Sequence, residues 1–293
     1  MPSPAPDWFT RAIEHPAQSH FVDVDGTAIH YLTWNAHETD KPGMLLAHGF
    51  RAHARWWSFI APFFTERFRV VALDFAGMGD SGYRSEYSSE QYVRDITGVI
   101  EDAKLSPVTL IGHSFGGSRV MRACADHPQL IERAVVIDSF IPLPELPRRG
   151  PPPMQPRPKK IYGSYAEARA RFRLVPEHNC TEPYVLDYVG HHSMKQVDGG
   201  WTWKFDELFT PHREDPAAEA RHIESVLNRV SMPVTIIYGD KSIVCPPPLA
   251  QAIVGRLSQG RGPVEIPESH HHVLLDQPLS LVSALRAILY APA

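Results

Sequence analysis

Residues 108–117 read Val-Thr-Leu-Ile-Gly-His-Ser-Phe-Gly-Gly. A short apolar run ends in Gly112-His113-Ser114-Phe115-Gly116-Gly117, and a helix-like stretch follows to about His127. Strand, glycine-flanked Ser and helix, in that order, predict one very sharp turn. The turn forces Ser114 into a strained backbone conformation. Gly112 and Gly116 supply room, because a side chain at either position would collide across the bend. The hydroxyl of Ser114 is then lifted clear of the sheet at the N-terminus of a helix, where developing negative charge is favoured.

The rest of the chain supplies the surroundings such a turn needs. Gly43-Met44-Leu45-Leu46-Ala47 reads as a buried strand running into His48-Gly49-Phe50. Further buried strands are predicted over Phe68–Asp74, Ala134–Asp138, Met232–Asp240 and Pro263–Pro267. Helices are predicted from Ser88 or Ser89, as the N-cap, to about Lys104, and over 54–67. Strand and helix alternate, which argues for a parallel, doubly wound sheet. Asp25-Gly26 between alternating segments predicts a hairpin. Residues 1–20 show little pattern.

Composition sets broad limits. At 293 residues the chain suits one large domain, or a core with an insertion. A formal charge of −4 gives no reason to expect a nucleic-acid partner or an anionic membrane. Cys124, Cys180 and Cys245 are odd in number and far apart, so they form neither a metal spacing nor a disulfide framework. The start Met1-Pro-Ser-Pro-Ala-Pro lacks a basic end and an apolar core, and no apolar run is long enough to span a bilayer. The cytoplasm is the expected compartment. No pattern in the chain specifies an oligomeric state.

The Gly-x-Ser-x-Gly turn, in this setting and with His48-Gly49 two elements earlier, resembles the α/β-hydrolase family over nearly the whole chain. The resemblance implies an α/β fold with a mostly parallel doubly wound sheet and a helical cap insertion. The expected division is a core of 1–139, a cap of 140–222 and a second core segment of 223–293. The cap region is proline-rich between Ile141 and Pro158 and aromatic between Tyr162 and Phe209. Asp74-Phe-Ala-Gly-Met-Gly-Asp-Ser81-Gly82 resembles a family loop, and we read Asp74 and Ser81 in it as structural.

Ser114 is the expected nucleophile by that resemblance, and the chain order Ser, acid, His is the family's order. Of His270, His271 and His272, the resemblance selects His271, five residues before Asp276-Gln277-Pro278. Three adjacent histidines cannot easily converge on one ion, so no metal is expected there. The acid departs from the family pattern. Its usual position, three residues after Gly239, is Ser242. Asp138, where haloalkane dehalogenases among other relatives place the acid, is favoured because that slot is vacant, and Asp240 is the alternative. The resemblance also assigns the backbone N–H groups of Phe50 and Phe115 to an oxyanion hole. Candidate pocket residues are His48, Trp56, Trp57, His113, Trp201 and Trp203, with packing an equal explanation for the tryptophans.

These residues suit two-step acyl transfer on a small or medium carboxylic ester, without a cofactor. Hydrolysis of an amide, lactone, thioester or carbon–carbon bond, or perhydrolysis, uses the same constellation. A non-catalytic ligand-binding protein is the alternative of another class. The resemblance carries an exclusion as well: epoxide hydrolases and dehalogenases use Asp at the turn where this chain has Ser114.

Overall fold

The computed structural model describes residues 5–143, 146, 160–180, 182–207 and 216–290. Eight strands form one sheet: β1 (Gln18–Val24), β2 (Thr27–Trp34), β3 (Gly43–Ala47), β4 (Arg69–Leu73), β5 (Val108–His113), β6 (Ile131–Ile137), β9 (Val234–Gly239) and β10 (Gly260–Ile266). Their spatial order is β1-β2-β4-β3-β5-β6-β9-β10. β1 and β2 pair antiparallel, as do β2 and β4, and every later neighbour pairs parallel. The β1–β2 turn is Asp25-Gly26, both at positive φ, as a two-residue hairpin turn requires.

Strands β3, β4, β5 and β9 are buried along their whole length, because helices cover both faces of the sheet. Helix α2 (Ser89–Asp102) begins in a capping box: Ser88 Oγ accepts the Gln91 N–H while the Gln91 side chain accepts the Ser88 N–H. Helix α3 (Phe115–Asp126) follows β5 directly.

Two expectations about the first seventy residues are corrected. Helix α1 (Asp7–Glu14) stands in the stretch whose sequence shows little pattern. It buries only Phe9 and Ala12, too few apolar positions to mark a period. Residues 54–67 form two short 3-10 turns, Ala54–Trp57 and Ala61–Phe64, rather than one helix. Trp56, Trp57, Phe59, Ile60, Ala61 and Phe64 are all buried, so the stretch has no consistent solvent face. Pro62 also lacks the N–H that a continuing helix would use.

After β6 the chain leaves the sheet. Helices α4 (Tyr165–Arg169) and α5 (Pro183–His192) follow, then an antiparallel hairpin of β7 (Met194–Val197) and β8 (Gly200–Trp203). Pro144 and the prolines from 147 to 158 lie outside the described residues, as does Phe209. Helix α6 (Pro216–Arg229) returns to the main core and packs on α3, with Val226 and Leu227 buried. The expected boundary at 222/223 therefore falls inside a helix that packs on α3. Helices α7 (Pro247–Arg256), α8 (Val273–Asp276) and α9 (Pro278–Tyr290) complete the chain. Among the described residues no helix is long and apolar enough to cross a membrane.

Candidate active site

Ser114 sits between β5 and α3 at φ 54° and ψ −117°. That conformation costs a non-glycine residue about 1–3 kcal/mol and persists only where the surroundings impose it. Here they do. The Ser114 N–H donates to the Ile137 carbonyl at 2.9 Å. A Cβ on Gly112 would lie 2.7 Å from the Gly116 carbonyl carbon, and one on Gly116 would lie 2.5 Å from the Ala47 carbonyl oxygen. The turn can close only because both positions lack a side chain.

His271 is delivered by the loop between β10 and α8. Its Nε2 lies 2.8 Å from Ser114 Oγ and its Nδ1 lies 2.8 Å from Asp138 Oδ1. With the Nδ1 proton directed at the carboxylate, Nε2 accepts from the serine hydroxyl. Asp138 follows β6, is fully buried, and has φ 46°. Its Oδ2 accepts the Gly239 N–H at 2.9 Å and its Oδ1 accepts the Ser242 hydroxyl at 2.6 Å. Ser242 Oγ in turn accepts N–H groups from Val244 and Cys245 at 3.1 and 3.3 Å.

Asp240, the alternative acid, is exposed and turned elsewhere. Its Oδ1 accepts the Ser269 N–H at 2.9 Å. Slight burial would raise its carboxyl, but bonds from Ser269 and other backbone groups hold it below the usual carboxylate range. The structure thus brings Asp138, and not Asp240, to His271. The sequence contained no sign that Ser242 would bond to this acid.

His113 is buried, and its Nε2–H donates to the His271 carbonyl at 2.8 Å, fixing the loop that carries the His271 ring. Burial, with the neighbouring His271, keeps His113 well below the ordinary histidine range and therefore neutral. Its Nδ1 has no partner among the described residues and faces Gly49.

The space above Ser114 is lined by Gly49, Phe50, Trp56, His113, Val175 and His272, and it amounts to only about 20 Å³. That is room for roughly one water. Trp56 is on this wall, whereas Trp57 is fully buried in the core beside β3 and β4. Trp201 and Trp203 lie on β8 and pack against Tyr165, Tyr162 and Phe172 rather than over Ser114. His48, fully buried, is also off the wall. Its Nδ1–H donates to the Gly49 carbonyl at 2.7 Å and its Nε2 accepts the Phe75 N–H at 3.2 Å, which braces the loop before Phe50. Phe50 directly follows that loop, and Phe115 is the first residue of α3, so both backbones border Ser114.

Asp74 and Ser81 brace the neighbouring loop. Asp74 accepts from Ala54 N–H at 2.5 Å, Asp80 N–H at 2.9 Å and His30 Nδ1 at 2.7 Å. Burial would raise its carboxyl, but these partners, His30 foremost, hold it at about 2. Ser81 Oγ donates to the Asp74 carbonyl at 2.6 Å.

A doubly wound eight-stranded sheet, with a strained Ser after its central strand bonded to a His from beyond its last strand, defines the α/β-hydrolase class. The chain belongs to the Alpha/beta hydrolase family, whose profile matches residues 44–285. It is 32% identical over 120 residues to Epoxide hydrolase 4 of Homo sapiens, a match covering 40% of this chain and 33% of that protein. The chain thus spans about a third of the length of such curated relatives. A Haloalkane dehalogenase of Mycobacterium marinum is 26% identical over 250 residues, 80% of each chain. Among solved structures, a thioesterase domain from the curacin biosynthetic pathway superposes with a TM-score of 0.75 at 21% identity, covering 92% of this chain and 99% of its own. E-2-(acetamidomethylene)succinate hydrolase gives 0.74 at 19% identity, covering 94% and 100%. At such identities these two likenesses speak for the fold.

Proposed function

We propose that the protein is a serine hydrolase that cleaves a small to medium carboxylic ester through Ser114, His271 and Asp138. The observation that carries this reading is the unbroken chain from Ser114 Oγ to His271 to buried Asp138, with both hydrogen bonds at 2.8 Å.

His271 Nε2 takes the Ser114 proton as Oγ attacks the ester carbonyl. Asp138 holds the Nδ1–H tautomer and stabilises the imidazolium that forms. The N–H groups of Phe50 and Phe115 receive the negative charge on the tetrahedral oxygen, at the positive end of α3. His271 then protonates the leaving alcohol. In the second half, His271 activates a water that hydrolyses the acyl-serine, and Ser114 recovers its proton. The route needs only this chain's residues and water.

The segment carrying α4, α5 and the β7–β8 hairpin acts as a cap. Val175 from it lines the 20 Å³ space over Ser114, too small for any ester. Entry of substrate therefore requires Val175 and its neighbours to swing aside, and their return excludes bulk water. Ser114 also separates this chain from its epoxide hydrolase and dehalogenase relatives, because the family resemblance places Asp at that position in those enzymes.

The test is turnover of p-nitrophenyl acetate and butyrate by the wild type and by Ser114→Ala. We expect saturable hydrolysis by the wild type and loss of at least 10³-fold in kcat in the variant. Equal turnover by both proteins refutes the proposal.

A further inference from the structure

Beside the reactive pair, a second group of side chains converges from distant parts of the chain. His178 comes from the loop between α4 and α5. His270 and His272 come from the loop carrying His271, and Asp276 ends α8. His178 Nε2 lies 2.9 Å from Asp276 Oδ1, and His270 Nδ1 lies 3.5 Å from Asp276 Oδ2. Ligand atoms of His178, His270 and Asp276 all lie within 4.8 Å of one another. The His178 and His270 rings stack at 4.7 Å. Asp276 is almost fully buried and also accepts the His270 N–H at 2.9 Å, so the carboxylate is fixed in place.

Two imidazoles and a buried carboxylate are the donor set of a borderline transition-metal dication. Tetrahedral Zn²⁺ with bonds of about 2.1 Å spaces its ligand atoms roughly 3.4 Å apart. The His178 and His270 separations from Asp276, 2.9 Å to one carboxylate oxygen and 3.5 Å to the other, lie near that spacing. The adjacent histidines alone offered no such site. His178, 92 residues before His270, supplies the missing direction.

His178 Nδ1 lies 3.4 Å from His272 Nδ1. A dication at His178 Nε2 would leave Nδ1 for this outer contact, of the kind metal-bound histidines ordinarily make. A cavity of about 420 Å³ lined by Glu177, His178 and Cys180 gives an ion a way in.

We propose that His178, His270 and Asp276 form a binding site for a transition-metal dication, with Zn²⁺ as its representative, and that occupancy ties the 172–180 segment to the loop bearing His271. The binding claim stands apart from the reaction. Its consequence, slower turnover because Val175 is held over Ser114, rests on the hydrolase reading above.

Titration calorimetry of the full chain with Zn²⁺ tests the binding. We expect one equivalent bound by the wild type and by Ser114→Ala, and at least tenfold weaker binding by His178→Ala and by His270→Ala. Absence of stoichiometric binding in the wild type, or equal binding by both histidine variants, overturns the site. If either variant fails to fold, Co²⁺ added to the wild type decides: intense visible bands of a four-coordinate imidazole complex support the site, and only the weak spectrum of the hydrated ion overturns it. On p-nitrophenyl butyrate, Zn²⁺ should slow the wild type and spare His178→Ala. Equal slowing of both, or of neither, overturns the tether while leaving the calorimetric result standing. A wild type without esterase activity that still binds Zn²⁺ stoichiometrically supports the site while refuting the hydrolase reading.

Discussion

Ser242 Oγ donates a 2.6 Å hydrogen bond to Asp138 Oδ1, the same oxygen that accepts His271 Nδ1. The residue at the position where the family resemblance expects the acid thus bonds to the carboxylate proposed as the acid, which follows a neighbouring strand. A hydrogen bond to a buried charge contributes about 1.5–3 kcal/mol. Ser242→Ala should therefore lower kcat by roughly tenfold or more and leave KM nearly unchanged. Steady-state kinetics on p-nitrophenyl butyrate check this, and an unchanged kcat removes Ser242 from the account.

The two candidate carboxylates give opposite expectations. Asp138→Asn keeps the shape but reverses the hydrogen-bond sense toward His271 Nδ1, so kcat should fall by about 10⁴. Asp240→Asn alters bonds to Ser269 and other backbone groups at the surface, away from His271, and should stay within about threefold of wild type. Parallel kcat measurements on the two variants separate them, and the reverse ranking contradicts the assignment.

Acid should unfold this protein early, and the cause is histidine. Burial holds His53 at about 3 and keeps His113 and His272 well below the ordinary range. The unfolded chain takes up these protons near pH 6.5 while the folded one does not. The unfolded state then binds more protons, so stability falls as pH drops below about 6.5, by at most roughly 1.4 kcal/mol per pH unit for each histidine. Asp74, held at about 2, adds its own loss only below the usual carboxylate range. Urea midpoints measured from pH 7.5 to 5 should decline steadily, and a flat profile contradicts the burial argument.

The parallel, doubly wound sheet and the sharp turn at Ser114 were legible because backbone geometry writes them locally, whereas the choice of His271 rested on the family resemblance. Only small residues fit Gly112 and Gly116, and the alternation of buried strands with helices is a period in the chain itself. The acid was not legible in the same way. Asp138 and Asp240 directly follow strands β6 and β9, which lie side by side, so spacing along the chain ranks them nearly equal. What separates them is the direction of each side chain, set by the positive φ of Asp138 and by the N–H of Gly239. Trp56 and Trp57 show the same limit: one residue apart, they point to the cavity and to the core. His178 meets Asp276 only through the fold of the segment between them, which no local pattern encodes.

Gly116 should tolerate no enlargement. A Cβ there would stand 2.5 Å from the Ala47 carbonyl oxygen and 2.6 Å from that of His48, both backbone atoms that cannot step aside cheaply. Gly116→Ala should lose about 1–3 kcal/mol, lowering Tm by several degrees, and should reduce kcat as well because the Phe50 loop is displaced. Thermal melts and kinetics of this variant check both effects, and a variant of wild-type Tm and kcat contradicts the proposed closeness of the turn.

The nucleophile itself is most directly tested by covalent capture. The protein would be incubated with a fluorophosphonate, and the modified residue located by peptide mass spectrometry. The account predicts one adduct per chain, on Ser114, formed in the wild type and slowed by orders of magnitude in His271→Ala. Labelling at another residue, or labelling of Ser114 at the same rate without His271, would contradict it.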